Sequence, residues 1–202
     1  MAVLGQSISS PRLGPFFAEL NERDMATGAA RLAAFCPEHA VEIASWVRSE
    51  RDLRWLAPNT APPLTTDKIC AWKKLDGDAF VLLAGEGGRP IGYGELNPMS
   101  SGTRHCWLGH VVVRPDQRRR GIGRVLLRSM LAEAFDQLES QRVSLIVFPD
   151  NMPAIRCYQG AGFAKTGDEF HRFEHDRSLH RLWRMELQRS SWDRQERPTN
   201  TP

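Results

Sequence analysis

The stretch that decides the fold is RPDQRRRGIGRVLLRSML, which runs from Arg114 to Leu131. Its first half has the proline and glycines of a turn, and its second half has the apolar spacing of a helix. Four arginines lie where that helix would begin: Arg118, Arg119, Arg120 and Arg124. Cations are disfavoured at a helix N-terminus, which already carries about half a positive charge. The pattern therefore indicates either a solvated basic face or an anion that binds at the turn.

The two glycines of this stretch favour the anion. A turn from a strand into a helix presents backbone N–H groups that lack partners, and Gly121 and Gly123 remove side chains that would block their approach. A Rossmann motif would need a third glycine where Leu126 stands, and no Gly-Lys-Ser/Thr follows to make a P-loop. A nucleic-acid patch is disfavoured because no aromatic residue alternates with the arginines. The sequence thus predicts a main-chain phosphate site.

The segments around this turn predict the fold class. HCWLGHVVVRP, before the turn, has the apolar run of a buried strand. The helix after it carries an apolar stripe at helical spacing, formed by Leu127, Leu131, Ala134, Phe135 and Leu138. Along the whole chain the patterns give the order β α α β β β α β α β β. Strands that alternate with helices predict a mixed α/β sheet with helices on its faces.

Length and composition predict one domain and disfavour several classes of protein. The chain has 202 residues, of which 41% are apolar and 25% charged, with a net charge of +3. That charge is too small to indicate a nucleic-acid partner, and no apolar run approaches the roughly 18 residues that span a bilayer. The four cysteines lack metal-ligand spacing, and the N-terminus lacks a signal peptide. We expect a cytoplasmic protein with no metal, no nucleic acid and no membrane partner.

The expected domain limits follow from the ends of the chain. Residues 1–28 are rich in Ser, Pro and Gly and predict a flexible leader. Residues 29–189 form the single predicted domain. The remaining residues, 190–202, are polar and predict a disordered tail.

Two segments resemble the GCN5-related N-acetyltransferase (GNAT) family. Arg118 to Gly123 is similar to the family's acyl-CoA-binding motif, Q/R-x-x-G-x-G/A. Residues 147–163, VFPDNMPAIRCYQGAGF, are similar to its second motif, N-x-x-A-x-x-x-Y-x-x-x-G-F, and supply Asn151, Ala154, Tyr158, Gly162 and Phe163. The resemblance covers roughly residues 80 to 187. It implies a mixed, mostly antiparallel central sheet flanked by helices on both faces.

The resemblance also implies an activity and a donor. It implies transfer of the acetyl group of acetyl-CoA to a primary amine of a small metabolite, by direct attack in a ternary complex of a monomer or homodimer. A protein N-terminal or lysine acetyltransferase, or a non-catalytic acyl-CoA sensor, are the alternatives. Carried over by motif, the residues that bind acetyl-CoA are Val111, Val112, Val113, Arg118, Arg119, Arg120, Gly121, Ile122, Gly123, Arg124, Asn151 and Tyr158.

The predicted catalytic residues are Tyr158 and Glu95. Alkyl amines have a pKa of about 10.4, so a base must take a proton before the nitrogen attacks. The resemblance implies that Tyr158 is the general acid for the departing thiolate; the alternative is an aromatic packing residue. Glu95 is a carboxylate in the apolar strand YGELNP and is the predicted base, unless it faces solvent or pairs with an arginine. His110 is a second candidate base. The resemblance implies a bulge here, so simple alternation along the strand does not determine on which face of the sheet His110 lies.

The acceptor amine is expected between helices 37–56 and 67–75 and the late loop GDEFHRFEHDRSLH, residues 167–180. This loop contains both acidic and basic residues, so it predicts no charge preference. Trp46, Trp55 and Trp72 are expected in the core, with the pocket wall as the alternative. His105 is expected in a turn.

Overall fold

The computed structural model describes residues 30–72, 77–85, 88–99, 104–174 and 176–196, so the predicted leader lies outside the described residues. The strands are β1 Ala30–Ala34, β2 Asp78–Ala84, β3 Pro90–Pro98, β4 His105–Val113, β5 Arg142–Val147, β6 Ala164–Phe173 and β7 Asp176–Gln188. The helices are α1 Ala40–Ser45, α2 Glu50–Leu56, α3 Thr66–Trp72, α4 Ile122–Ala132, α5 Met152–Gly160 and α6 Arg189–Glu196. No helix among the described residues is long and apolar enough to cross a membrane.

The strands form one sheet in the order β1-β2-β3-β4-β5-β7-β6. Every neighbouring pair is antiparallel except β4 and β5, which run parallel. The helix α4 connects these two strands, as a parallel pair requires a crossover. The predicted class, a mixed and mostly antiparallel sheet flanked by helices, is confirmed.

Helices cover both faces of the sheet, and the alternation along β2 shows how. Leu82 packs into the cluster that contains the stripe of α4, whereas Val81 and Leu83 pack on the opposite face with residues of α1 and α3. Successive strand residues point to opposite faces, so a strand buried on both sides needs a continuous apolar run. The predicted stripe of α4 is confirmed, because Leu127, Leu131, Ala134 and Phe135 are buried.

The single helix predicted for residues 37–56 is wrong, because the chain breaks between α1 and α2. Ser49 has extended backbone angles, and its hydroxyl accepts a hydrogen bond from the amide of Asp52 at 3.1 Å. A serine that caps a helix in this way satisfies one of its unpaired N–H groups, which favours a new start over a continuous helix. The break separates α2 from α1, which packs in the core.

The predicted tail is wrong for residues 190–196, which belong to α6. Trp192 is buried and stacks on Phe135, with ring centroids 5.8 Å apart. Arg189 also donates hydrogen bonds to the carbonyl of Phe135 and, at 3.2 Å, to Asp136. A single aromatic residue in a polar segment gives little periodic signal, although burying its large ring anchors the helix.

The late loop predicted at 167–180 is mostly a hairpin, because β6 extends to Phe173 and β7 begins at Asp176. Alternate residues share a face along a strand, so Glu169 and Phe173 lie on one side and Phe170 on the other. Cross-strand pairing of the backbone supplies the hydrogen bonds that a loop would lack.

His105 lies in β4 and not in a turn. It is 7% exposed, and its Nε2 lies 2.6 Å from the hydroxyl of Ser144. Burial lowers the pKa of His105, and the nearby charge of Arg142 lowers it further. The folded protein therefore contains a neutral imidazole in a pH range where the unfolded chain binds a proton.

We expect this histidine to make the fold less stable in mild acid. Below the unfolded pKa of about 6.5, the free energy of unfolding should fall by up to about 1.4 kcal/mol per pH unit until the folded pKa is reached. Urea unfolding of the wild type and of His105→Asn between pH 5 and pH 8 measures the difference, since all other groups are shared. Parallel curves for the two proteins would contradict this expectation.

Candidate active site

The sheet opens between β4 and β5. These strands pair over three residues each, His105–Trp107 and Arg142–Ser144. Beyond Trp107, β4 stays paired with β3 on its other edge, where Val112 lies opposite Tyr93. Among the described residues, the edge of β4 that faces β5 therefore has no strand partner at residues 111–113, which are predicted to bind acetyl-CoA.

A bulge in β4 lies beside this opening. Tyr93 and Glu95 of β3 pair with Val112 and Gly109, so two steps along β3 correspond to three along β4. His110, within this interval, has a φ of +46°, a conformation that is uncommon for a residue other than glycine. A bulge re-aims a side chain relative to simple alternation. Here it turns the imidazole of His110 toward Glu95.

The carboxylate of Glu95 is buried between two partners. It is 2% exposed and accepts a hydrogen bond from the hydroxyl of Tyr93 at 2.5 Å. Its other oxygen lies 2.9 Å from Nδ1 of His110. The ring nitrogen has the distance of an ion pair but is not aligned as a hydrogen bond. Within the part of the chain that the structure describes, Glu95 thus neither faces solvent nor pairs with an arginine, which were the two alternatives.

Within this trio the imidazole is the group nearest the surface. The side chain of His110 is 26% exposed, whereas Tyr93 is fully buried. Burial raises the pKa of Tyr93, and the charge of Glu95 raises it further, so the phenol stays a hydrogen-bond donor. A buried carboxylate this close to a partly exposed imidazole restricts the orientation of the ring.

Trp72 covers the outer side of His110 and is not simply a core residue. The indole and imidazole rings stack with centroids 4.3 Å apart and planes 13° apart. The indole N–H donates a hydrogen bond to the hydroxyl of Thr60 at 2.8 Å. No periodicity in the sequence distinguishes this tryptophan from Trp46, which is buried in the core.

The two glycines of the predicted phosphate turn have different physical roles. Gly121 has a φ of +82°, and a Cβ added there would meet no atom within 4 Å. Its requirement is therefore conformational, with open space beside it. A Cβ on Gly123 would lie 3.1 Å from the sulfur of Cys157, so this glycine lets α4 approach α5 closely.

Backbone hydrogen bonds indicate which amides of the turn are available to bind an anion. The amide of Arg118 donates to the carbonyl of Pro115 at 3.4 Å, and that of Arg124 donates to Gly121 at 2.9 Å. The amides between them are those of residues 119–123. Apart from bonds within a regular helix or strand, none of these amides donates to a backbone carbonyl of the described chain. The first amides of a helix have no partner within it, and the helix dipole favours an anion there.

The side chain of Arg118 is directed away from this turn. Its Nε donates to the carbonyl of Val113 at 3.1 Å, and its guanidinium lies 4.0 Å from Asp52 of α2. The backbone at residues 119–123 is therefore a better candidate for binding phosphate than this arginine's charge.

Tyr158 lies on α5, which packs beside the start of α4, and Asn151 immediately precedes this helix. Tyr158 is half-buried, and its ring meets Phe163 edge to face at 5.9 Å. Burial raises the pKa of Tyr158, with a smaller contribution from Cys157, so the hydroxyl is protonated at neutral pH. Asn151 caps α5 by accepting a hydrogen bond from the amide of Ala154 at 3.3 Å. This cap explains the asparagine structurally, and its contact with a cofactor stays a prediction.

A cleft of about 200 Å³ lies between α2, the proline-rich segment 57–65 and the β6–β7 hairpin. Its lining residues are Glu50, Leu53, Arg54, Pro58, Pro62, Phe173 and His180. Asp150 fixes the position of α2, because it pairs with Arg54 and accepts a hydrogen bond from the indole of Trp55 at 3.2 Å. Two of the three segments expected to form the acceptor pocket therefore meet here, while α3 contributes no lining residue.

Two hairpin carboxylates are already neutralised within the chain. Glu169 contacts His171 at 2.7 Å and Arg184 at 2.6 Å. Burial by itself would raise the pKa of Glu169, but the bonds with His171 and Arg184 together lower it. Asp168 contacts Lys165 at 2.8 Å, and this bond lowers the pKa of Asp168. Neither carboxylate is thus an isolated negative charge that would attract a cationic amine.

Several solved structures have a similar fold. The spermidine N-acetyltransferase of Vibrio cholerae, in complex with CoA and spermine, superimposes with a TM-score of 0.68 at 18% identity, over 81% of this chain and 97% of that one. An aminoglycoside acetyltransferase in complex with coenzyme A gives a TM-score of 0.64 at 18% identity, over 84% and 100% of the two chains. At such low identity these likenesses establish the fold alone.

Sequence comparison identifies the family. An aminoglycoside N(6')-acetyltransferase type 1 of Klebsiella pneumoniae is 28% identical over 91 residues, which are 40% of this chain and 45% of that protein. A mycothiol acetyltransferase of Clavibacter michiganensis is 42% identical over 59 residues, 29% and 18% of the two chains. The matches thus span less than half the length of these curated relatives. Residues 45–163, more than half of the chain, match the acetyltransferase (GNAT) family. The resemblance of the two motifs is confirmed, and the chain belongs to the GNAT acetyltransferase family.

Proposed function

We propose that the protein transfers the acetyl group of acetyl-CoA to a primary amine of a small molecule, by direct attack in a ternary complex. One observation carries this proposal: the unpaired edge of β4 runs from the His110–Glu95 pair to the turn before α4. A thioester bound along that edge would have a proton acceptor near one end and an anion site at the other.

The donor would bind mainly to the main chain. The amides of residues 119–123 would contact the diphosphate of acetyl-CoA, and the edge of β4 at 111–113 would hydrogen-bond its pantetheine arm. An N–H of that edge would also polarise the thioester carbonyl as negative charge develops on its oxygen. Three other members of the predicted set, Arg118, Arg124 and Asn151, would act by shaping the turn and α5, and the fourth, Tyr158, would contact the thiol.

The reaction removes two protons from the acceptor nitrogen. His110 takes the first from the ammonium group and passes it to solvent, and the neutral nitrogen attacks the carbonyl carbon of the thioester. As the C–N bond forms and the C–S bond breaks, Tyr158 donates its proton to the departing thiolate. The second proton, which the nitrogen loses as it becomes an amide, restores the phenol of Tyr158. Because Glu95 is buried, it acts through His110, and the sequence-based role of Glu95 as the direct base is modified accordingly.

The lining of the cleft supports an acceptor with a carbon skeleton. It includes Leu53, Pro58 and Phe173, which would contact carbon atoms of the acceptor. Relatives named as spermidine and aminoglycoside acetyltransferases support a small molecule with amino groups. A protein lysine or N-terminal amine is the alternative, and it would require an open groove.

A panel assay tests this proposal. The protein with acetyl-CoA is mixed with alkylamines, polyamines, aminoglycosides, amino acids and a lysine peptide, and thiol release is followed. We expect release with at least one small amine and little with the peptide. Gly121→Val is the control variant, because a β-branched residue is strained at positive φ and should weaken acetyl-CoA binding. Binding of acetyl-CoA without thiol release on any amine would favour the sensor and contradict the proposal.

A further inference from the structure

A series of side-chain contacts connects the cleft to the buried carboxylate. Pro58 and Pro62 line the cleft, and Thr60 lies between them in the chain. Thr60 accepts the indole N–H of Trp72, which stacks on His110. The imidazole then contacts Glu95 at 2.9 Å. Groups from three separate segments of the chain are thus joined at the imidazole.

We propose that Trp72 is a positioning residue, which holds His110 in the orientation needed to accept the proton of the amine and joins it, through Thr60, to the wall of the acceptor cleft. This inference rests on the proposed function and adds to it a residue that the reaction does not touch directly.

The stack explains how Trp72 would act. Nearly parallel rings at 4.3 Å restrict rotation of the imidazole about its side-chain bonds. Because His110 has a positive φ, the regular alternation of a strand does not set the direction of its side chain. The indole thereby limits the directions from which the imidazole can accept a proton.

The segment 57–65 and α3 behave as one unit in this scheme. The ammonium of Lys68 donates to the carbonyls of Ala61 at 2.7 Å and Pro63 at 2.8 Å. Together with the bond from Trp72 to Thr60, these bonds hold the cleft-lining segment against α3. An acceptor that seats against Pro58 and Pro62 would therefore contact a wall whose position is set by the same helix that holds the base.

Two conservative variants test the role of Trp72. Trp72→Phe keeps an aromatic face but removes the N–H, and Thr60→Val keeps the shape but removes its acceptor. Each should lower kcat by about 3- to 10-fold, as expected for one lost hydrogen bond, with KM for acetyl-CoA unchanged. The double variant should be no slower than the slower single variant, because both changes break one bond. Trp192→Phe, the same substitution in α6, is the control and should leave kcat unchanged.

A spectroscopic measurement makes the test independent of turnover. An imidazole under an indole has ring protons shifted upfield, so the resonances of His110 in an aromatic ¹H–¹³C spectrum should move toward ordinary values in Trp72→Leu. Thr60→Val should move them by a smaller amount if the threonine sets the stack. Circular dichroism on each variant shows whether it is folded. If a tryptophan variant does not fold, Thr60→Val still tests the inference.

The outcomes separate this inference from the proposed function. If the wild type acetylates an amine but both conservative variants match its kcat, the positioning role is overturned while the activity stands. If His110 shows no upfield shift in the wild type, the stack and the inference are overturned together. A wild type without turnover on any amine overturns both proposals.

Discussion

Replacing Tyr158 with phenylalanine is expected to lower kcat by on the order of 10²-fold or more, with little change in KM for acetyl-CoA. The phenyl ring preserves the edge-to-face contact with Phe163, so the packing of α5 is retained. What is lost is the proton that the departing thiolate needs. Steady-state thiol release with the best amine of the panel measures the effect.

The pH dependence gives this prediction a second readout. Because burial raises the pKa of Tyr158, the wild type should keep its general acid up to at least the ordinary phenol pKa of about 10. The wild-type rate should therefore not fall between pH 7 and pH 9 through loss of this proton. An acetyl thioester of a more acidic thiol should partly restore Tyr158→Phe, since such a thiolate leaves without protonation. A variant with wild-type kcat would show that the tyrosine only packs.

Replacing His110 with glutamine should also reduce kcat by about 10²-fold, because the amine then loses its proton acceptor. Added imidazole should restore part of the rate in a smaller variant, His110→Ala. Since an amine deprotonates by itself at high pH, the defect should shrink as the pH approaches the amine pKa of about 10.4. The rate is measured from pH 6 to pH 10 at saturating amine, with His39→Gln as a histidine control outside the site.

Glu95→Gln refines this second prediction. The amide keeps the shape of the side chain and can still accept the hydroxyl of Tyr93, so the fold should persist. It replaces the carboxylate beside Nδ1 of His110 with a neutral amide, which should orient the imidazole less strongly. We expect kcat to fall by about 10-fold, less than in His110→Gln. A larger loss for Glu95→Gln than for His110→Gln would instead indicate that the carboxylate contacts the amine directly, as the sequence predicts.

The turn before α4 shows where reasoning from sequence succeeds. Its signals are local: two glycines, surplus cations at the start of the helix, and an apolar stripe that ends in Leu138. Local hydrogen bonding and helical spacing are set by neighbouring residues, so they are legible in a single sequence. The separate reasons for Gly121 and Gly123 were not legible, because the second depends on the sulfur of Cys157 from α5.

The errors in predicting the fold from the sequence have related causes. A serine cap at Ser49 divides the first predicted helix, and one buried tryptophan, Trp192, holds α6 in what composition describes as a tail. In both cases one specific contact outweighs the average character of the segment. The hairpin that replaces the late loop is stabilised by the backbone pairing of β6 with β7.

From the sequence by itself, the family, the order of the strands along the chain, the turn into α4 and the candidate Tyr158 could be derived, because each depends on residues close together in the chain. The base could not be chosen, since His110 meets Glu95 only after β3 and β4 pair with a bulge between them. The place of Trp72 over that imidazole was decided only when α3 packed against the sheet. Side chains that are far apart in sequence converge through strand register and helix packing, and a linear pattern does not contain those distances.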